Sequence, residues 1–135
     1  MKIAITSTGP DLESNVDPRF GRCSYFLIID SDSMDFEAIQ NTNQSAGGGA
    51  GIQSAQLISQ KDVDTVLTGN CGPNAYQTLS AAGINIMIGV SGSVREAVEK
   101  FKAGEFSKID GPNVGSHSGM KGGQTGGMGG GRGQA

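Results

Sequence analysis

Two cysteines, Cys23 and Cys71, are the side chains in this sequence best suited to hold a soft metal or a sulfide cluster, and each lies in or beside a glycine-bearing turn. Cys71 sits in Gly69-Asn70-Cys71-Gly72-Pro73, where a strand should end and a helix begin. A thiolate placed there feels the positive end of the helix and nearby backbone N–H groups, which lowers its pKa. The competing reading is a small buried hydrophobe at a tight turn. Cys23 closes the loop Asp17-Pro18-Arg19-Phe20-Gly21-Arg22-Cys23 and leads into a strand, so it gains no helix dipole and core packing beside Tyr25 is its first reading. Arg19 and Arg22 flank Phe20-Gly21 in that loop, where guanidinium groups would neutralise an anionic ligand; solvated loop charge is the plain alternative.

Backbone donors accompany the thiols. Gly47-Gly48-Gly49-Ala50-Gly51 lets main chain approach a ligand closely at a helix start, which suits a phosphate or an anionic cluster, or else serves as a hinge. No Lys-Ser/Thr pair follows, so it is not a P-loop, and G-x-G-x-x-G spacing after a first strand is missing. Gly89-Val90-Ser91-Gly92-Ser93 repeats the theme, with Ser93 capping a helix and Ser91 turned to an anion. His117, the sole histidine, stands with Met120 and Met128 in a glycine-rich tail; all three are ligand types that soft or borderline metals accept.

Several function classes drop out. With its sole histidine in the tail, the chain offers no Ser-His-Asp arrangement and no paired histidines for catalytic zinc, so a non-enzymatic role is expected. No basic stripe marks a nucleic-acid binder, and the net charge is −3. No apolar run approaches a membrane span and the N-terminus reads as core rather than signal, so a cytoplasmic protein with reduced thiols is expected.

The 135 residues suffice for one domain with a core. Lys2–Thr6, Tyr25–Ile29 and Phe36–Asn41 read as strands of an antiparallel meander. A helix follows from Ala50 to Lys61 with Ile52, Ala55 and Ile58 on one face, then a buried strand, Thr65–Thr68. Pro73 opens a helix carrying Ala75, Leu79 and Ala82 on one face and stopped by Gly83. Ile84–Ile88 is the next strand, and Ser93 with Glu96 predicts a capping box ahead of Val94, Ala97, Val98 and Phe101, with Gly104 as the stop. Helical crossovers make the later strands parallel, giving an α/β fold with a mixed five-stranded sheet, strands 1-2-3 antiparallel and 1-4-5 parallel, flanked by three helices. Cys23, the Gly47 run, Cys71 and Gly89 then converge on one edge. Residues 1–109 form the domain; residues 110–135, with eleven of the 23 glycines, are expected to be disordered. The order resembles that of ribonuclease H-like nucleases, but Lys2-Ile3-Ala4-Ile5-Thr6 lacks the acidic residue a two-metal site needs.

Over residues 1 to about 108 the chain resembles the dinitrogenase iron–molybdenum cofactor biosynthesis family, small-domain relatives of NifX and the carboxyl-terminal part of NifB. The resemblance is carried by the Asp17–Cys23 loop, the Gly47–Gly51 run, Val66-Leu67-Thr68-Gly69 and Gly83 with the strand to Gly89. It implies a ribonuclease H-like three-layer fold without nuclease activity, and binding or carriage of an anionic metal–sulfur cluster, iron–sulfur or molybdenum-containing, passed between donor and acceptor proteins. The positions it marks for cofactor binding are Phe20, Gly21, Arg22, Gly49, Gly51, Ser91 and Gly92, with Cys71, Cys23 and His117 toward metal. Two other readings stand beside it: a phosphate- or nucleotide-binding regulatory module using the same helix starts without the thiols, and a regulatory partner protein with the tail as interaction segment.

Overall fold

The β-branched run near the N-terminus becomes the middle of a sheet because every residue from Ile3 to Ser7 is covered. The computed structural model describes residues 1–42 and 50–109. In it β1 (Lys2–Ser7) pairs antiparallel with β2 (Tyr25–Asp30), and β2 pairs antiparallel with β3 (Phe36–Gln40). On its other side β1 pairs parallel with β4 (Thr65–Leu67), which pairs parallel with β5 (Asn85–Met87). The sheet order is β3-β2-β1-β4-β5, as the crossover argument requires.

Alternation along the strands feeds two cores. Ala4, Phe26, Ile28, Val66 and Ile86 pack with Ala55 and Ile58 of α1 (Ala50–Ser59) and with Ala75 and Leu79 of α2 (Pro73–Ala81). Ile3, Ile5, Leu27, Ile29 and Leu67 face the other way, onto Val94, Ala97 and Val98 of α3 (Val94–Lys102). Two helices therefore cover one face of the sheet and one covers the other. The expected punctuation is present: Pro73 at the start of α2, Gly83 and Gly104 at positive φ beyond α2 and α3, and a reciprocal Ser93–Glu96 capping box.

Two core assignments need correcting. Ile52 is exposed rather than buried, because α1 turns Ala50, Ser54, Ala55 and Ile58 inward and position 52 falls on the opposite side of that stripe. Ala82 is the C-cap of α2 and exposed, so only Ala75 and Leu79 of the expected trio are buried. β5 is also shorter than Ile84–Ile88, since the backbone N–H of Ile84 still bonds to Leu79 O at the helix end. Residues 43–49 and 110–135, which include Gly47, Gly48, Gly49, His117 and the tail expected to be disordered, lie outside the described residues. Among the described residues no helix is long and apolar enough to cross a membrane.

Candidate functional site

Strand direction sets the site. With β1, β4 and β5 parallel and β2 antiparallel, Ser7, Tyr25, Gln40, Leu67 and Met87 all end at one rim of the sheet. Cys23, two residues before β2, and Cys71, four after β4, are both on that rim and both in the buried cluster that contains Phe20. Neither is in a disulfide.

Residues 17–23 cross the rim as a strap. At one margin the Asp17 N–H donates to Thr6 O at 2.9 Å, the Thr6 hydroxyl donates to Asp17 O at 2.6 Å, and Thr6 Oγ1 lies 2.8 Å from Thr68 Oγ1. The same margin is pinned to the segment after β4: Phe20 N donates to Asn70 O at 3.3 Å and Asn70 Nδ2 to Pro18 O at 3.2 Å. Contact here is so close that a Cβ on Gly69 would sit 2.6 Å from Pro18 Cα, which only glycine permits. At the other margin the buried Asn41 amide donates to Gly21 O at 2.9 Å and to Cys23 O at 2.8 Å, and Ser54 Oγ donates to Gly21 O at 3.3 Å. Gly21 itself has φ +100 and lies against Gly51 at the start of α1. Phe20 is buried with its ring 5.6 Å from that of Phe26.

The strap's charges are arranged in a way that its sequence does not announce. Asp17 is 2% exposed, and its carboxylate accepts from the Arg19 backbone N–H at 3.0 Å, from Arg19 Nε at 3.2 Å and from Nη2 at 3.2 Å. Arg19 is thus committed to a neighbour rather than open to a ligand, and the hydrogen bond and charge of Asp17 hold its pKa above the ordinary arginine value. Arg22 is exposed on the strap.

Both thiols are fully buried. Burial pushes the Cys71 thiol up to about 12, the opposite direction to the lowering expected from its place before a helix. Its S–H points to Gly72 O at 3.7 Å. Cys23 is also pushed up to about 12, first by burial and then by the Asp17 charge, against backbone N–H groups of Gly21, Cys23 and Ser7 that favour the thiolate. Asn41 Nδ2 stands 4.0 Å from the Cys23 sulfur on the same side. Among the described residues no three His, Cys, Asp or Glu side chains gather into a metal site.

The predicted site residues divide between the two faces of the sheet. Phe20, Gly21, Arg22, Cys23, Gly51 and Cys71 lie on or beside the strap on the α1/α2 side, where a Cβ on Gly51 would stand 3.6 Å from Ala75 Cβ in α2. The N-cap of α2 is Gly72, with no side-chain cap. Ser91 and Gly92 belong to the α3 side. There Val94 N donates to Ser14 O at 2.8 Å, Arg95 N to Leu12 O at 2.9 Å and Glu96 N to Ser93 Oγ at 3.1 Å, so the first three backbone donors of α3 itself are already used. Gly92 has φ +86, and a Cβ there would meet Glu96 Oε1 at 2.8 Å, which ties this glycine to the cap. Gly49 and His117 are outside the described residues.

Sequence reading missed Asp17, Asn41, Ser54 and Asn70. Only Asp17 had a local signal, an acid two residues before an arginine; the others act on the strap from 18 or more positions away and become visible only when the chain is folded.

Fold and rim together define a small α/β domain whose strand ends and helix starts converge on a strapped pair of thiols. The chain belongs to the family described as dinitrogenase iron-molybdenum cofactor, whose model matches residues 1–104. An uncharacterized protein of Methanocaldococcus jannaschii is 31% identical over 113 residues, 82% of this chain and 92% of that relative. The apo form of the orange protein from Desulfovibrio gigas is similar with a TM-score of 0.80 and 41% identity, covering 83% of this chain and 95% of that one. A Thermotoga protein of the DUF35 family, provisionally described as NifB, gives 0.70 and 37%, covering 79% and 91%.

Proposed function

We propose that this protein binds an anionic metal–sulfur cluster, iron–sulfur or molybdenum-containing, at the α1/α2 side of the rim, and carries it between donor and acceptor proteins without catalysing a reaction. The observation that carries the reading is that Cys23, at the end of the strap, and Cys71, before the α2 N-terminus that has no side-chain cap, share one buried cluster at the rim. Membership of a family described by the iron-molybdenum cofactor supports the choice of cargo. Arg22 would balance the cluster's charge, the backbone of Gly21 and Gly51 would approach it closely, Phe20 would shield it, and Cys71 with Cys23 would supply sulfur once exposed. Gly49 and His117 remain candidates on their residue types, and Ser91 and Gly92 would contribute only from the far side of the sheet. We assign the scaffold to the ribonuclease H-like class on its strand order, with β1 carrying no carboxylate for nuclease chemistry. Reduced thiols fit a cytoplasmic setting.

Anaerobic reconstitution of the reduced full chain with iron and sulfide, or with tetrathiomolybdate, tests this. New visible absorption is expected, weakened in Cys71→Ala; no uptake of either species rejects the reading. The rival is a phosphate- or nucleotide-binding regulatory module, favoured by one observation, that both thiols are fully buried. Amide shifts on phosphate titration that persist in a Cys23→Ala/Cys71→Ala variant would favour this rival.

A further inference from the structure

We infer that residues 18–23 are a displaceable cover whose catch is the ion pair of Arg19 with the anchored Asp17, opening at the margin beside Asn70 and hinging at the margin held by Asn41. The inference rests on the cluster-binding reading and supplies what that reading requires, since sulfur that is fully buried cannot meet a cargo until something moves.

The two margins differ in how water reaches them. At the Asn41 margin the amide and Ser54 are buried, and they hold Gly21 O and Cys23 O against α1. Buried hydrogen bonds of this kind are expensive to break, because the separated groups find no water in their place. At the other margin Asn70 is exposed and the Arg19 side chain is 60% exposed, so water can replace the bonds from Asn70 to Pro18 and from Phe20 to Asn70 as they part. Asp17 itself stays anchored there by its buried bonds with Thr6, and what holds the rest of the strap to it is its carboxylate, which takes both the Arg19 backbone N–H and its guanidinium. Folding the strap back on itself in this way fixes Pro18 and Arg19 where they contact Gly69 and Asn70. Gly21, whose carbonyl is held at the Asn41 margin and whose φ is +100, is where the backbone ahead of it can swing. An anionic cargo is chemically able to release the catch, since a metal–sulfur anion competes with Asp17 for the same guanidinium. The first sulfur uncovered would be Cys71, which directly follows Asn70.

The test uses reduced full-length protein with no metal added, so it does not depend on cluster uptake. Iodoacetamide alkylation at Cys71 is followed by peptide mass spectrometry, and amide hydrogen exchange is measured at Phe20 and at Val98 in α3. Burial alone raises the Cys71 thiol, so its rate reports cover rather than neighbouring charge. Arg19→Gln should speed Cys71 alkylation and Phe20 exchange about fivefold, the weight of a well-formed, partly exposed ion pair, with Val98 unmoved. Asp17→Asn should act alike, and the double variant should match Arg19→Gln rather than multiply the two effects. Unchanged Cys71 and Phe20 rates in Arg19→Gln, an equal rise at Val98, or multiplicative singles would overturn the inference. Failure here with cluster uptake intact removes only the catch; failed uptake with the rates as expected removes only the cargo.

Discussion

The starts of α2 and α3 face the same rim and are built in opposite ways. At α3, Ser93 and Glu96 cap each other's backbone donors, and Ser14 O and Leu12 O from the loop after β1 take the next two N–H groups. The Arg95–Glu13 ion pair ties the same loop down on the outside. The N–H groups from Ser93 to Glu96 are therefore all taken. At α2 the cap is a glycine, the first helical residue is a proline, and a buried thiol precedes them. Sequence similarity between the two turns, each glycine-rich and each opening a helix, conceals this difference: one helix start is closed by a reciprocal side-chain cap and the other has no side-chain cap.

The largest effect expected from this contrast is alkaline instability that originates in the two thiols of the α1/α2 side. Both thiols have folded pKa values of about 12 against about 9 when unfolded, so the folded state holds its protons more tightly in that window. Their stabilising contribution is full below pH 9 and is lost as pH rises toward 12, at about 1.4 kcal/mol per pH unit per thiol. Thermal melts from pH 7 to 11 should show the fall, and Cys71→Ala should make it shallower; a melting temperature flat to pH 11 would contradict the burial of both sulfurs. Next in size is Gly69→Ala, whose Cβ would meet Pro18 backbone at 2.6 Å and so displace the strap at the cost of about 3 kcal/mol in a urea titration.

On the α3 side Ser93→Ala should cost about 1 kcal/mol through loss of the cap. Cluster uptake should be unaffected, and a matching loss of uptake would place cargo at α3 after all. The smallest effect sharpens the comparison most. Gly72→Asp puts a carboxylate at an extended N-cap position (φ −77, ψ 174) and should stabilise the protein by about 0.5 kcal/mol. It should also weaken uptake of an anionic cluster. If uptake is unchanged while stability rises, the α2 N-terminus is not where cargo sits.

Much of the scaffold was legible because local signals and tertiary packing agree. The Ser93–Glu96 spacing, Pro73 at a helix start, and Gly83 and Gly104 at helix stops each impose a backbone requirement that the fold then meets. Ile52 misled because three apolar residues at spacing of three suggest a stripe, whereas the packed face of α1 is set by small residues, Ala50, Ser54 and Ala55, that fit against the strap and α2. The shared rim of the two cysteines was legible and their burial was not. A cysteine before a helix suggests an acidic thiol only if water or a ligand reaches it, and whether either does depends on a loop that passes over it from some fifty residues away in the chain.

Residue order alone determined the strand directions, since crossover helices leave parallel strands one arrangement, and with them the convergence of both cysteines on one rim. The three-dimensional packing decided the rest: that Arg19 is held by Asp17, that the donors of α3 are taken by Leu12 and Ser14, and that both thiols are dry. The physical reason is that strand direction and helix ends follow from neighbours in the chain. Hydration and hydrogen-bond satisfaction at a site follow from whichever distant segment folds over it.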